Sequence, residues 1–175
     1  MEYVVFPAIF FIGVLTKFVD LAVDDSLNIP KPLVYASAVA YGILAAYVIT
    51  NYTILAPLGL AVVAAVLITG KIDRKPHALG VVIMVLFMFF WGLQAVDPVL
   101  LLILLAAGIA DEITSDLADK GKVKGVSAKV LGRRFILEVA AFFVSLSTGY
   151  WIIFLGILIF DAGYFIAEML GKKFK

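Results

Sequence analysis

Three stretches of this sequence set charged side chains at the spacing of one helix face. Lys17/Asp24, Glu112/Asp119 and Asp161/Glu168 are each seven positions apart. Seven residues at about 100° each fall only ~20° short of two turns, so each pair shares a face about 10 Å apart along the axis. Asp20 fills the first face, and Ser115 with Asp116 the second. Carboxylates without thiol or imidazole partners are hard oxygen ligands, suited to Mg²⁺ or Mn²⁺. The chain has no cysteine and a single histidine, His77, which argues against zinc, iron–sulfur and thiolate chemistry.

Asp20, Asp24, Asp111, Glu112, Asp116 and Asp119 are the candidate metal ligands, with Asp20, Glu112 and Asp116 as candidate catalytic groups. Mg²⁺ is commonly held by one or two carboxylates plus substrate phosphate oxygens. Lys71, Arg74, Arg133 and Arg134 are the side chains expected to neutralise that phosphate.

The elements that must position these groups are membrane helices. Hydrophobic residues make up 64% of the 175, only 15% are charged, and mean hydropathy is +1.12. That much apolar surface exceeds what a soluble chain of this length can hide. Apolar runs of bilayer length predict an all-α bundle with seven transmembrane spans in one domain. They run over 3–23, 32–50, 53–72, 78–96, 99–117, 131–148 and 150–170. The apolar part of the sixth span, Phe135 to Thr148, is short and the turn at Ser147 to Tyr150 is tight, so a re-entrant hairpin is the alternative form of spans six and seven. The first run lacks a basic leader and a small-residue cleavage site, and is read as a retained span.

Charge placement supports this count. With seven spans, all 14 basic residues fall on one side and only Glu2 and Asp97 keep the other, which predicts an outside N-terminus and a cytoplasmic C-terminus. Tyr3, Tyr52, Trp91, Tyr150 and Trp151 fall at the outer ends, as an interfacial belt would. Ala36/Ala40, Ala38/Gly42, Ala61/Ala65 and Ala106/Ala110 mark faces where helices can approach closely. Threonine-to-aspartate stretches near 16–25, 69–77 and 114–122 suggest a parallel three-plus-one-plus-three repeat.

Depth separates costly acids from cheap ones. Asp24, Asp25, Asp73 and Asp119 reach headgroup level, where a charge is solvated. Asp111, Glu112 and Asp161 fall inside the apolar register, where an ionised carboxylate costs about 2.5–3.5 kcal/mol unless it meets a partner or a wet cavity. Plainer roles are expected for other charges. Lys17 snorkels or pairs with Asp20, Arg134/Glu138 forms a surface ion pair, the basic segment 120–134 meets anionic lipid, and His77 is exposed in a loop.

Acids crowded at one face point to a metal-dependent enzyme, a transferase or phosphatase, acting on a phosphorylated lipid or isoprenoid in the cell membrane. The competing expectation is a cation- or proton-coupled transporter or channel, with Asp161, Glu168 and Lys17 as the coupling groups. A scaffold that pairs its acids with another protein explains the three charged faces least well, and no nucleic-acid partner is expected.

Overall fold

A computed structural model describes residues 2–25, 27–72, 74–122 and 135–173. These form a short 3-10 turn, Glu2–Val5, and seven α-helices. The helices are α1 (Phe6–Val23), α2 (Lys31–Asn51), α3 (Ala56–Ile68), α4 (Lys75–Trp91), α5 (Pro98–Asp119), α6 (Phe135–Thr148) and α7 (Trp151–Lys172). No strand occurs among the described residues. Four helices, α1, α2, α5 and α7, are long and apolar enough to cross a membrane, whereas α3, α4 and α6 are shorter and equally apolar. Four such helices in so apolar a chain mark a membrane protein.

Proline decides where helices begin. Pro7, Pro32, Pro57, Pro76 and Pro98 sit at the first or second position of α1 to α5, where the missing N–H costs nothing and the fixed φ suits the helix. Two expected boundaries move for this reason. The third helix starts at Ala56 rather than Thr53 because Pro57 opens it after the Thr53–Leu55 turn. The fourth runs over Lys75–Trp91 rather than 78–96, since Pro76 starts it and Gly92, at φ +81°, ends it. Asp97 opens α5 by accepting hydrogen bonds from the Val99 and Leu100 amides at 2.9 and 3.1 Å.

Between α6 and α7 the chain turns through Gly149 and Tyr150. Buried Ser145 fastens that turn: its hydroxyl donates to the Tyr150 carbonyl at 3.0 Å and accepts from the Phe154 amide at 3.2 Å.

Parallel pairs of helices carry the packing. α1 lies along α7, α2 along α4, and α3 along α5, with α6 bridging α5 and α7. A Cβ placed on Gly13 would strike the Phe160 carbonyl, and one on Gly163 would strike that of Phe10, so two backbones touch here without side chains between them. Gly42 meets the Gly80 carbonyl in the same way, and Gly108 packs on Ala65. The expected faces at Ala38/Gly42 and Ala61/Ala65 are therefore buried. Ala36 and Ala106 are exposed instead, because the inward face of α5 carries Leu104, Ala107, Gly108 and Asp111.

Leu58, Leu104, Ala141 and Ile153 form the centre of the largest core cluster. Outward, Phe89 and Phe90 are 83% and 78% exposed, an apolar surface suited to lipid rather than water. One end of the bundle gathers aromatic rings: Tyr47 with Tyr52 and Trp91, and Phe142 with Trp151 and Phe154. The charged side chains gather at the other end.

Candidate functional site

At the end of the bundle where α1, α3, α5 and α7 finish, the charged residues fall into two clusters. The first is built around His77, in the opening turn of α4. Its Nε2 lies 2.9 Å from Asp20 Oδ1 of α1, at ion-pair distance but without hydrogen-bond alignment. Its Nδ1 meets the Tyr41 hydroxyl of α2 at 3.1 Å. Asp20 in turn accepts a 2.6 Å hydrogen bond from the Tyr164 hydroxyl of α7. Tyr41, His77, Asp20 and Tyr164 thus form one chain of polar contacts across four helices.

Both ends of the His77–Asp20 pair are withdrawn from solvent, with side chains 16% and 18% exposed. Sequence reasoning placed His77 in an exposed loop. Pro76 starts α4 one residue earlier, so His77 belongs to a helix and faces inward. That proline, together with two mid-span tyrosines whose hydroxyls need partners, was the available signal. Gly80 makes the contact sterically possible, since a Cβ there would run into the Tyr41 ring and hydroxyl.

Lys17 stands beside this chain. Its ammonium donates to Asp25 at 3.2 Å and lies 5.1 Å from the centre of the Tyr164 ring. The partner is thus Asp25 rather than the expected Asp20, because Asp20 is already held by His77 and Tyr164. Arg74 pairs with Asp24 at 3.2 Å on an exposed rim, where an ion pair is worth about 0–1 kcal/mol.

The second cluster joins α5 to the segment after α3. Lys71 Nζ lies 3.1 Å from Glu112 and 3.6 Å from Asp116, and Lys120 closes on Asp116 from one turn along. The Glu112 carboxylate is only 5% exposed, so Lys71 supplies the charge that a buried acid requires.

Asp111, next to Glu112, has a different task. Its two oxygens accept the Ile136 and Leu137 amides at 2.8 and 2.6 Å. The carboxylate of α5 therefore caps the positive end of α6, where backbone N–H groups have no partners within the helix.

Asp161 is half-buried in the middle of α7 and stands in an interaction with its surroundings. Glu168, on the same helix, pairs with Lys172. Asp119 ends α5. Arg133 and Arg134, expected to bind phosphate, and the Arg134/Glu138 ion pair lie outside the described residues, as does Asp73. Among the described residues no three acidic or histidine side chains are grouped to hold a metal ion. The arrangement offers an acid–base pair at His77 and Asp20, two acids, Glu112 and Asp116, paired with Lys71 and Lys120, and cations at the rim.

Comparison with known proteins brings no match: no family model, no curated protein and no solved structure is similar to the chain.

Proposed function

We propose that this chain crosses the bilayer seven times, with the ends of α1, α3, α5 and α7 in the cytoplasm, and works there as an enzyme on a phosphorylated lipid or isoprenoid. The observation that carries the reading is the His77–Asp20 pair, seated between Tyr41 and Tyr164 beside several cations at one end of an apolar bundle. An imidazole beside a carboxylate can pass a proton to or from a substrate oxygen. In this reading Tyr41 orients the His77 ring, Asp20 offsets positive charge on it, and His77 moves a proton to or from the substrate oxygen.

Lys71 and Arg74, with Arg133 and Arg134 of the basic segment, supply the charge that a phosphate requires. Mg²⁺ or Mn²⁺ is the proposed cofactor, held by Glu112 and Asp116 or by Asp24, together with phosphate oxygens. One or two protein carboxylates suffice for such an ion, so no preformed cage of three is needed. Transferase and phosphatase share these requirements.

The test is phosphate or diphosphate release from farnesyl diphosphate and from phosphatidic acid, by protein in lipid nanodiscs with millimolar Mg²⁺. Turnover should fall by about 10²-fold or more in His77→Ala and Asp20→Asn, measured on variants whose melting curves show them folded at the assay temperature. Wild-type protein that releases nothing from either lipid, or a His77→Ala variant as active as wild type, removes the reading.

A second reading is favoured by one specific feature. The Tyr41–His77–Asp20–Tyr164 chain ties α1, α2, α4 and α7 together, so a proton bound there acts on four helices at once, as a proton-coupled carrier would use it. Asp161, with Glu168 and Lys17, then carries the coupling.

A further inference from the structure

Beneath the polar chain the bundle contains a half-open cleft of about 110 Å³ between α1, α2, α3 and α7. Ala45, Val48, Gly59, Gly156, Ile157 and Phe160 are among its lining residues, and no polar side chain lines it among the described residues. Two glycines in its wall let neighbouring side chains pack closely, so a larger residue at either must push into the lining. A Cβ on Gly59 would come 2.6 Å from Ile49 Cγ1, and one on Gly156 would come 3.2 Å from Leu55 Cδ2. An apolar cavity of this order stays free of water and takes up hydrocarbon, as engineered cavities of about 150 Å³ do with benzene.

Two helices lead independently from the cleft to the polar chain. On α7, Phe160 of the cleft lies one turn below Tyr164, with the two rings stacked at 6.4 Å. On α2, Ala45 and Val48 continue the face of Tyr41 at the i+4 and i+7 positions. Both routes put the nearest edge of the cleft about 6 Å, one helical turn, deeper than the hydroxyls bonded to Asp20 and His77, and on α1 the lining Ile12 lies ~12 Å along the axis from Asp20.

We infer that the cleft holds the far end of the hydrocarbon tail, about one isoprene unit by its volume, of the lipid whose phosphate is handled at the His77–Asp20 end. The inference rests on the enzyme reading above and gives its substrate a shape: polar group at the charged end, tail running past the middle of the bundle toward its aromatic end. Ordinary lipid against the outside of the bundle is the alternative occupant of any apolar surface, and the experiment separates the two.

The probe is a farnesyl diphosphate analogue with a diazirine on its last isoprene unit, photolysed with the purified protein in detergent and mapped by mass spectrometry. Label is expected on Ala45, Val62 or Val63 of the cleft wall. It should be competed by unlabelled farnesyl diphosphate or by dodecyl phosphate, the more effective of the two naming the kind of tail. Gly156→Leu, which fills the cleft, should lower cleft labelling at least tenfold, as should Ala45→Phe from the facing wall. Melting curves identify a variant that has merely unfolded.

Label spread evenly over the outward rings of Phe89 and Phe90, failure of both competitors, or cleft labelling unchanged in folded Gly156→Leu overturns the tail site. Phosphate release on the same samples keeps the two proposals apart. Competed cleft labelling without turnover of any lipid upholds the tail site and removes the enzyme. Turnover that needs His77 but is indifferent to Gly156→Leu upholds the enzyme and removes the tail site.

Discussion

The carboxylate of Asp111 reaches from α5 to the first turn of α6, with its Oδ2 2.6 Å from the Leu137 amide nitrogen and its Oδ1 2.8 Å from that of Ile136. Hydrogen bonds to a charged group contribute about 1.5–3 kcal/mol each. Asp111→Ala should therefore lower unfolding free energy by about 3 kcal/mol or more, and Asp111→Asn, which keeps one acceptor oxygen, by roughly half as much. Denaturant titration in mixed micelles measures both. A loss under about 0.5 kcal/mol in the alanine variant would show that α6 holds its position without the cap.

Lys71 and Glu112 predict an asymmetry. Lys71→Met removes a charged partner at 3.1 Å from the buried Glu112 carboxylate and should cost about 1.5–3 kcal/mol, whereas Glu112→Gln leaves Lys71 with Asp116 and should cost less. The same titration compares them, and equal losses would mean that Glu112 finds other compensation.

At the α1–α7 crossing, Gly13→Val and Gly163→Val should each lower stability by about 1–3 kcal/mol or more, because the added side chain meets backbone that cannot rotate away. Gly121→Ala serves as the control for space, with no atom within 4 Å of its added Cβ, though its positive φ carries a smaller strain. Thermal melting in detergent should rank both crossing variants well below the control, and the opposite order would argue against this contact.

Orientation can be read with cysteines placed singly in this cysteine-free chain. A membrane-impermeant thiol reagent applied to intact cells should label Gln94→Cys and spare Lys122→Cys, and the reverse pattern would overturn the proposed topology.

The two functional readings rank one set of substitutions oppositely. In the enzyme, Glu112→Gln and Asp116→Asn should stop lipid turnover and remove any stabilisation by millimolar Mg²⁺, while Asp161→Asn is tolerated. In a carrier, Asp161→Asn should stop pH-gradient-driven uptake into liposomes with the protein still folded. Parallel assays on one set of preparations decide between them.

Much of the architecture is legible in the sequence because bilayer-length apolar runs and helix-opening prolines are local signals. The α-helices follow from Pro32 or Pro98 and what comes after them, with no knowledge of the partner helix. The site is less legible, since it depends on which helices become neighbours. Glu112, Asp111 and Asp116 lie within six positions on one helix and look alike as acids, yet one caps α6, one is buried against Lys71, and one reaches toward solvent. His77 shows the same limit: a loop-like neighbourhood concealed it until the packing of α4 against α2 put Tyr41 beside it.

The parallel pairing of α1 with α7 also has a consequence for biosynthesis. Helices leave the ribosome in order, so Gly13 and its bare backbone face wait in the membrane until the seventh helix arrives with Gly163. Through that interval Asp20 lacks Tyr164, and until α4 is inserted it lacks His77 as well. An α1 that carries Asp20 without its final partners is poorly matched to lipid alone. The contacts that satisfy Asp20 therefore form last, when α4 and then α7 pack against α1.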